Sequence, residues 1–100
     1  MKVFISQPMA YKTQQEILNE RGTLVELIKE EFGEDAEIID SYFPDAPHDA
    51  EPLWYLGKAI QLMSEADVVV MAKNWWIARG CRCEYDCART YGKCVVESKV

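Results

Sequence analysis

A carboxylate sits where a helix should be apolar. Residues 78–92 read Ala-Arg-Gly-Cys-Arg-Cys-Glu-Tyr-Asp-Cys-Ala-Arg-Thr-Tyr-Gly, and at helical spacing Arg82, Asp86, Arg89 and Lys93 fall on one solvated stripe. The opposite face collects Cys81, Cys87, Ala88 and Tyr91. Glu84 lies among them, roughly 200° round from Arg82. An ionised glutamate on a buried stripe is costly unless paired. The position therefore implies either a hidden partner or a cleft whose chemistry uses a carboxylate of shifted pKa. A plainer role fits the same stretch: an acid near the helix start that reaches back to cap its own first turn.

The neighbours of Glu84 add polar and aromatic groups. Gly80 stands four residues earlier, where backbone N–H groups at a helix start can meet an anion. Of the two arginines flanking it, Arg79 is the better placed, because Arg82 belongs to the solvated stripe. Trp75 and Trp76 are adjacent, and adjacent residues of an extended segment point opposite ways, so one of them is expected outside. An exposed ring there suits stacking on a planar ligand or contact with another subunit. The four cysteines, Cys81, Cys83, Cys87 and Cys94, match neither a paired zinc spacing nor a secreted disulfide framework. The only histidine, His48, lies far away in a Pro-rich loop. Free thiols in a reduced compartment are expected, with no metal and no cofactor.

The rest of the chain reads as the scaffold for these groups. Lys2 to Ser6 is a short buried strand that ends at a polar tip, Ser6-Gln7-Pro8-Met9. Thr13-Gln-Gln-Glu16 forms a capping box, and Ile17, Leu24, Val25, Ile28 and Phe32 follow at helical spacing until Gly33. Ala36 to Asp40 reads as a second strand that delivers Asp40 and Ser41 at its carboxyl end. A polar loop with two prolines runs to Glu51. Pro52 opens a second helix with an apolar stripe of Leu53, Leu56, Ile60 and Met63. Trp54, Tyr55 and Leu62 lie off that stripe. Val68 to Ala72 is apolar throughout, the pattern of a central parallel strand covered on both faces. The helix around Glu84 and a last strand, Lys93 to Glu97, complete the chain.

Strands and helices thus alternate, β-α-β-α-β-α-β, over one domain spanning residues 1–100. Right-handed crossovers turn that order into a doubly wound, flavodoxin- or Rossmann-like α/β fold: a four-stranded parallel sheet, order 2-1-3-4, with helices on both faces. Ligands of such sheets bind beyond the carboxyl ends of the strands at the switch point, here between the first and third strands. Ser6 to Tyr11, Asp40 to Phe43 and Lys73 to Gly80 converge there, the last leading into Glu84. With 17 acidic against 11 basic residues and a net charge of −6, a nucleic-acid polymer or an anionic membrane is a poor partner. No apolar run approaches membrane-spanning length and no leader pattern opens the chain, so a cytoplasmic protein with a small-molecule ligand is expected.

Gly80-x-x-x-Glu84-x-x-x-Ala88, after Ala66-Asp-Val-Val-Val-Met-Ala72 and the opening Val3-Phe-Ile-Ser-Gln-Pro-Met9, resembles the nucleoside 2-deoxyribosyltransferase superfamily. With Pro52-Leu-Trp-Tyr-Leu-Gly57 the chain is most similar to a small branch found in bacteria and their phages. The resemblance implies that Glu84 is a nucleophile attacking C1′ of a (deoxy)nucleoside or nucleotide. It expels the base and holds the sugar as an ester until water or a second base takes it. Ser6, Gln7, Pro8, Met9, Asp40, Trp75, Arg79 and Gly80 are the expected substrate-binding positions. It also implies a homo-oligomer, at least a dimer, whose neighbour helps close the crevice. Three departures point to the alternative of a catalytically silent module that binds a nucleotide-derived ligand. Ala78 and Ala59 stand where relatives carry a second carboxylate, and Ala10-Tyr11 replaces an Arg-Gly pair.

Overall fold

A computed structural model describes residues 1–99. The strands are β1 (Lys2–Ser6), β2 (Glu37–Ile38), β3 (Val68–Met71) and β4 (Cys94–Glu97). The helices are α1 (Gln14–Phe32), α2 (Pro52–Met63) and α3 (Arg79–Thr90), with one 3₁₀ turn at Trp75–Ile77. All pairings are parallel and the sheet order is β2-β1-β3-β4. This is the doubly wound arrangement that the order of elements implies.

The apolar run of β3 is covered on both faces, as is that of its neighbour β1, so these two strands form the centre of the sheet. The register of β3 on β1 is pinned just before β3 begins. Asp67 accepts a 2.7 Å hydrogen bond from the Lys2 backbone N–H and donates its own N–H to the Lys2 carbonyl. Side-chain alternation then sorts the core into two layers. Val3 and Ile5 of β1, with Val68, Val70 and Ala72, pack on Leu24 and Ile28 of α1. Phe4, Val69 and Met71 pack on Ala59 and Met63 of α2 and on Cys81 and Ala88 of α3. Everything beyond Ile5 inherits this parity.

The capping box on α1 forms in full: Thr13 Oγ1 accepts from the Glu16 N–H at 3.1 Å, and Glu16 Oε1 accepts from the Thr13 N–H at 3.2 Å. Gly33 ends the helix at φ 107°, and a Cβ there would lie 2.9 Å from Asp35 Oδ1. Pro52 takes the first turn of α2, as its fixed φ favours.

Three local expectations are corrected. The second strand is two residues long rather than five. It pairs with β1 alone at the sheet edge, and the chain leaves the ladder after Ile39 donates to the Val3 carbonyl. On α2 the buried stripe is turned: Leu53 is 75% exposed while Ala59 and Met63 are buried. Off-stripe Leu62 packs on the core and Trp54 sits edge-on to Phe43 at 5.9 Å. The helix must satisfy α3 as well as the sheet, and that contact sets its rotation. Tyr91 caps α3 and is exposed, because the helical period stops at Thr90.

Candidate functional site at the strand tips

Ser6 is the last residue of β1, and alternation directs it to the α2/α3 side with Phe4. Its buried hydroxyl donates a 2.5 Å hydrogen bond to Glu84 Oε1. Glu84 lies in the second turn of α3, which starts at Arg79 with Ala78 as its N-cap residue. It is therefore past the positions from which an acid caps a helix start, and the capping role is replaced by a bond to a strand 78 residues away. Burial pushes its carboxyl up from the ordinary 4.5 to about 7, against the lowering effect of the Ser6 donor. Neither a cation nor a second carboxylate contributes to that rise among the described residues. At neutral pH this group is divided between acid and base forms.

Cys81 lies one turn before Glu84 on the same helix face and shares the Ser6 hydroxyl with it. Burial first, and the Glu84 charge further, push its thiol up to about 11, although Ser6 and Lys12 act in the opposite sense. Cys81 is a neutral, apolar wall for the carboxylate rather than a nucleophile. All four cysteines are free thiols.

The other expected site residues divide between several surroundings. Pro8 is buried and Met9 half-buried beyond Ser6, while Arg79 and Gly80 are in the first turn of α3. Gln7 points the opposite way from Ser6, into the α1 layer. Its Nε2 donates to the Ile17 carbonyl at 2.9 Å and to Glu20 Oε1 at 3.4 Å, and its buried Oε1 has no partner among the described residues. Asp40 is exposed at the far edge, where Oδ1 accepts from the Tyr42 N–H and the carboxylate faces Arg21. Trp75 is stacked on Tyr85, with ring centroids 4.3 Å apart, and its Nε1 donates to Glu97 Oε1 at 2.9 Å. Trp76 is the more exposed one of the pair, at 55%.

Sequence reasoning passed over Lys12, Arg21 and Asn74, and named Tyr11 only as a departure from the family pattern. Lys12 binds both Glu20 oxygens, at 2.8 and 2.9 Å, and its charge reaches Cys81. Arg21 donates to the Ile39 carbonyl and to Ser41 Oγ, and burial lowers its pKa against the raising effect of Asp40. Tyr11 and Asn74 hold positive φ, 63° and 65°, in the two loops over the tips of β1 and β3. Non-glycine residues adopt that conformation at a cost and concentrate at functional loops. An asparagine shortly after a strand is the one legible signal among these.

Fold and site together define a doubly wound parallel α/β protein with a half-buried, hydrogen-bonded carboxylate at its topological switch point. The chain belongs to the family described as "Domain of unknown function (DUF4406)", which matches residues 1–97. No curated protein and no solved structure matches it. Among the described residues, no helix is long and apolar enough to cross a membrane.

Proposed function

We propose that this protein cleaves or transfers the N-glycosidic bond of a (deoxy)nucleoside or nucleotide, with Glu84 as nucleophile. The observation that carries the reading is the half-buried Glu84 carboxylate, held 2.5 Å from Ser6 Oγ at the tip of β1. The motif order shared with nucleoside 2-deoxyribosyltransferases supports it. In the ionised form one Glu84 oxygen attacks C1′ while the C1′–N bond breaks, its electron pair leaving with the base, which takes up a proton. Water or a second base then attacks C1′ and frees the carboxylate. Ser6 positions Glu84: its donated hydrogen bond fixes one oxygen and leaves the other for the sugar. A nucleophile must be deprotonated, so turnover rises with pH through about 7.

The test is chromatography of deoxynucleosides and their 5′-monophosphates after long incubation. Free base is expected from the parent protein and none from Glu84→Gln. Equal release by both, or none by the parent from any substrate, refutes the proposal.

One observation favours the binding-only reading. No second carboxylate acts on Glu84 among the described residues: Asp40 is engaged by Arg21 and Tyr42, and Ala59 is packed in the core with Met63. A nucleotide that raises the melting temperature yet is recovered intact would establish that reading.

A further inference from the structure

The turn between β1 and α1 holds one residue in a conformation that its own side chain opposes. Lys12 N–H donates to the Met9 carbonyl at 3.4 Å, which closes residues 9–12 into a turn. Tyr11 is its third residue, at φ 63°, while Ala10 stays out of the left-handed region. That is the type II pattern, whose third position favours glycine or asparagine. A tyrosine there is disfavoured, because its Cβ crowds the following carbonyl. The strained form persists because both flanks are tied to α1: Gln7 Nε2 donates to the Ile17 carbonyl, and Lys12 holds both Glu20 oxygens.

Nothing inside the chain offsets that cost. Tyr11 is fully exposed, with no hydrogen bond and no ring contact among the described residues. The other exposed or half-buried rings near the strand tips are engaged: Phe43, Trp54 and Tyr55 lean on one another, and so do Trp75, Trp76 and Tyr85. Tyr91 is exposed as well, but its φ of −98° is unstrained and it precedes β4, at the amino ends of the strands. Tyr11 instead follows Ser6, the partner of Glu84, in the loop at the carboxyl end of β1. The charge of its neighbour Lys12 acts on Cys81, one turn of α3 from Glu84. A strained turn thus holds an unattached aromatic ring beside the candidate carboxylate.

We propose that Tyr11 is a substrate-binding residue whose ring closes on the nucleobase of the ligand that Glu84 meets at the sugar. The identity of the stacked ring rests on the proposed glycosidic function. An exposed side chain changes rotamer within nanoseconds, so the ring reaches a ligand without any movement of the turn. Every base has a π-face, so stacking strengthens binding of purines and pyrimidines alike and does not choose between them. The phenolic hydroxyl plays no part in it.

The experiment pairs melting temperature with the kinetics of base release from deoxyadenosine, deoxyuridine and their 5′-monophosphates. Tyr11→Gly and Tyr11→Asn both suit the turn, and asparagine does so without adding freedom to the unfolded chain. Each should melt at or above the parent's temperature and yet raise KM by about 10-fold for purine and pyrimidine substrates, with kcat little changed. Tyr11→Phe should keep the parent's KM. A parental KM in the glycine and asparagine variants, a loss in Tyr11→Phe as large as in Tyr11→Gly, or a fall in melting temperature alongside the rise in KM overturns the proposal. So does light scattering that shows the parent as a dimer and Tyr11→Gly as a monomer, because the ring then belongs to a subunit contact. A nucleotide recovered intact, but bound about 10-fold more weakly by Tyr11→Gly in calorimetric titration, would refute the glycosidic reading and leave this one standing. Base release indifferent to every Tyr11 substitution would do the reverse. A parent that neither cleaves nor binds any of these ligands overturns both.

Discussion

Glu84 should destabilise the fold at neutral and alkaline pH, and replacing it with glutamine should remove that penalty. Its pKa is raised from 4.5 to about 7 by burial, and every tenfold change in proton affinity between the folded and unfolded chain corresponds to about 1.4 kcal/mol. The folded chain therefore holds a proton that the unfolded chain gives up. Below about pH 4.5 both states are protonated and nothing is lost. As the pH rises towards 7 the unfolded state ionises first and stability falls; above about 7 the loss levels off near 3 kcal/mol. Glutamine keeps an oxygen for the Ser6 hydroxyl but does not titrate. Urea unfolding of parent and Glu84→Gln at pH 5, 6.5 and 8 isolates this contribution, because all other titrating groups cancel in the difference. The variant should gain on the parent by about 3 kcal/mol at pH 8, on the order of 10–20 °C in melting temperature for a domain of this size. At pH 5 the gain should have shrunk to about 1 kcal/mol or less. A stability difference that stays constant from pH 5 to 8 would refute the assignment of Glu84 as a half-buried acid without a cationic partner.

Ser6→Ala removes the donor on Glu84, so the Glu84 pKa should rise further above 7. The midpoint of the rising limb of base release, or of the Glu84 carboxyl signal in a ¹³C NMR titration, reads that change. Thr13→Ala deletes the capping box of α1 and should cost about 1 kcal/mol in urea unfolding, leaving nucleoside turnover unchanged. Trp76 and Ile77, 55% and 70% exposed, are the expected seat of self-association. Light scattering over a dilution series should show a dimer or larger species in the parent and a monomer for Trp76→Ala with unchanged melting temperature at low concentration.

The topology was legible because it depends on alternation of elements and on one strand, Val68 to Ala72, that is apolar on both faces. The helix N-terminus at Thr13 and its stop at Gly33 follow from local chemistry that acts within four residues. What was not legible depends on long-range geometry. Glu84 stands out by helical period alone, but its partner was hidden, since β1 is apolar on both faces and no pattern of alternation separates Ser6 from Gln7. Once the α1 layer takes Val3 and Ile5, the division is forced. Trp75 shows the same limit: its direction is decided by Glu97 on β4 and Tyr85 on α3, neither of which is a sequence neighbour. The turned stripe of α2 arises from a helix–helix contact that no amphipathic pattern encodes.

The pairing of Glu84 with Ser6 also bears on why a carboxylate occupies that position. As a purely structural acceptor for the Ser6 hydroxyl, glutamine would serve at neutral pH without the ionisation penalty, and a penalty near 3 kcal/mol is a large share of the roughly 5–15 kcal/mol that holds a typical domain folded. A salt-bridge role fails too, because no cation acts on Glu84 among the described residues. What glutamate alone supplies is an oxygen that can be either protonated or anionic near pH 7, beside a hydroxyl that holds it at the mouth of the switch point. Those are the properties that the proposed nucleophile requires. Nucleophile and general acid then differ in sign. The first gives turnover that rises through the Glu84 pKa, the second turnover that falls through it. The pH–rate profile of base release, compared between the parent and Ser6→Ala, separates them: a nucleophile's rising limb moves to higher pH in the variant, whereas a falling limb in the parent would remove Glu84 from that role.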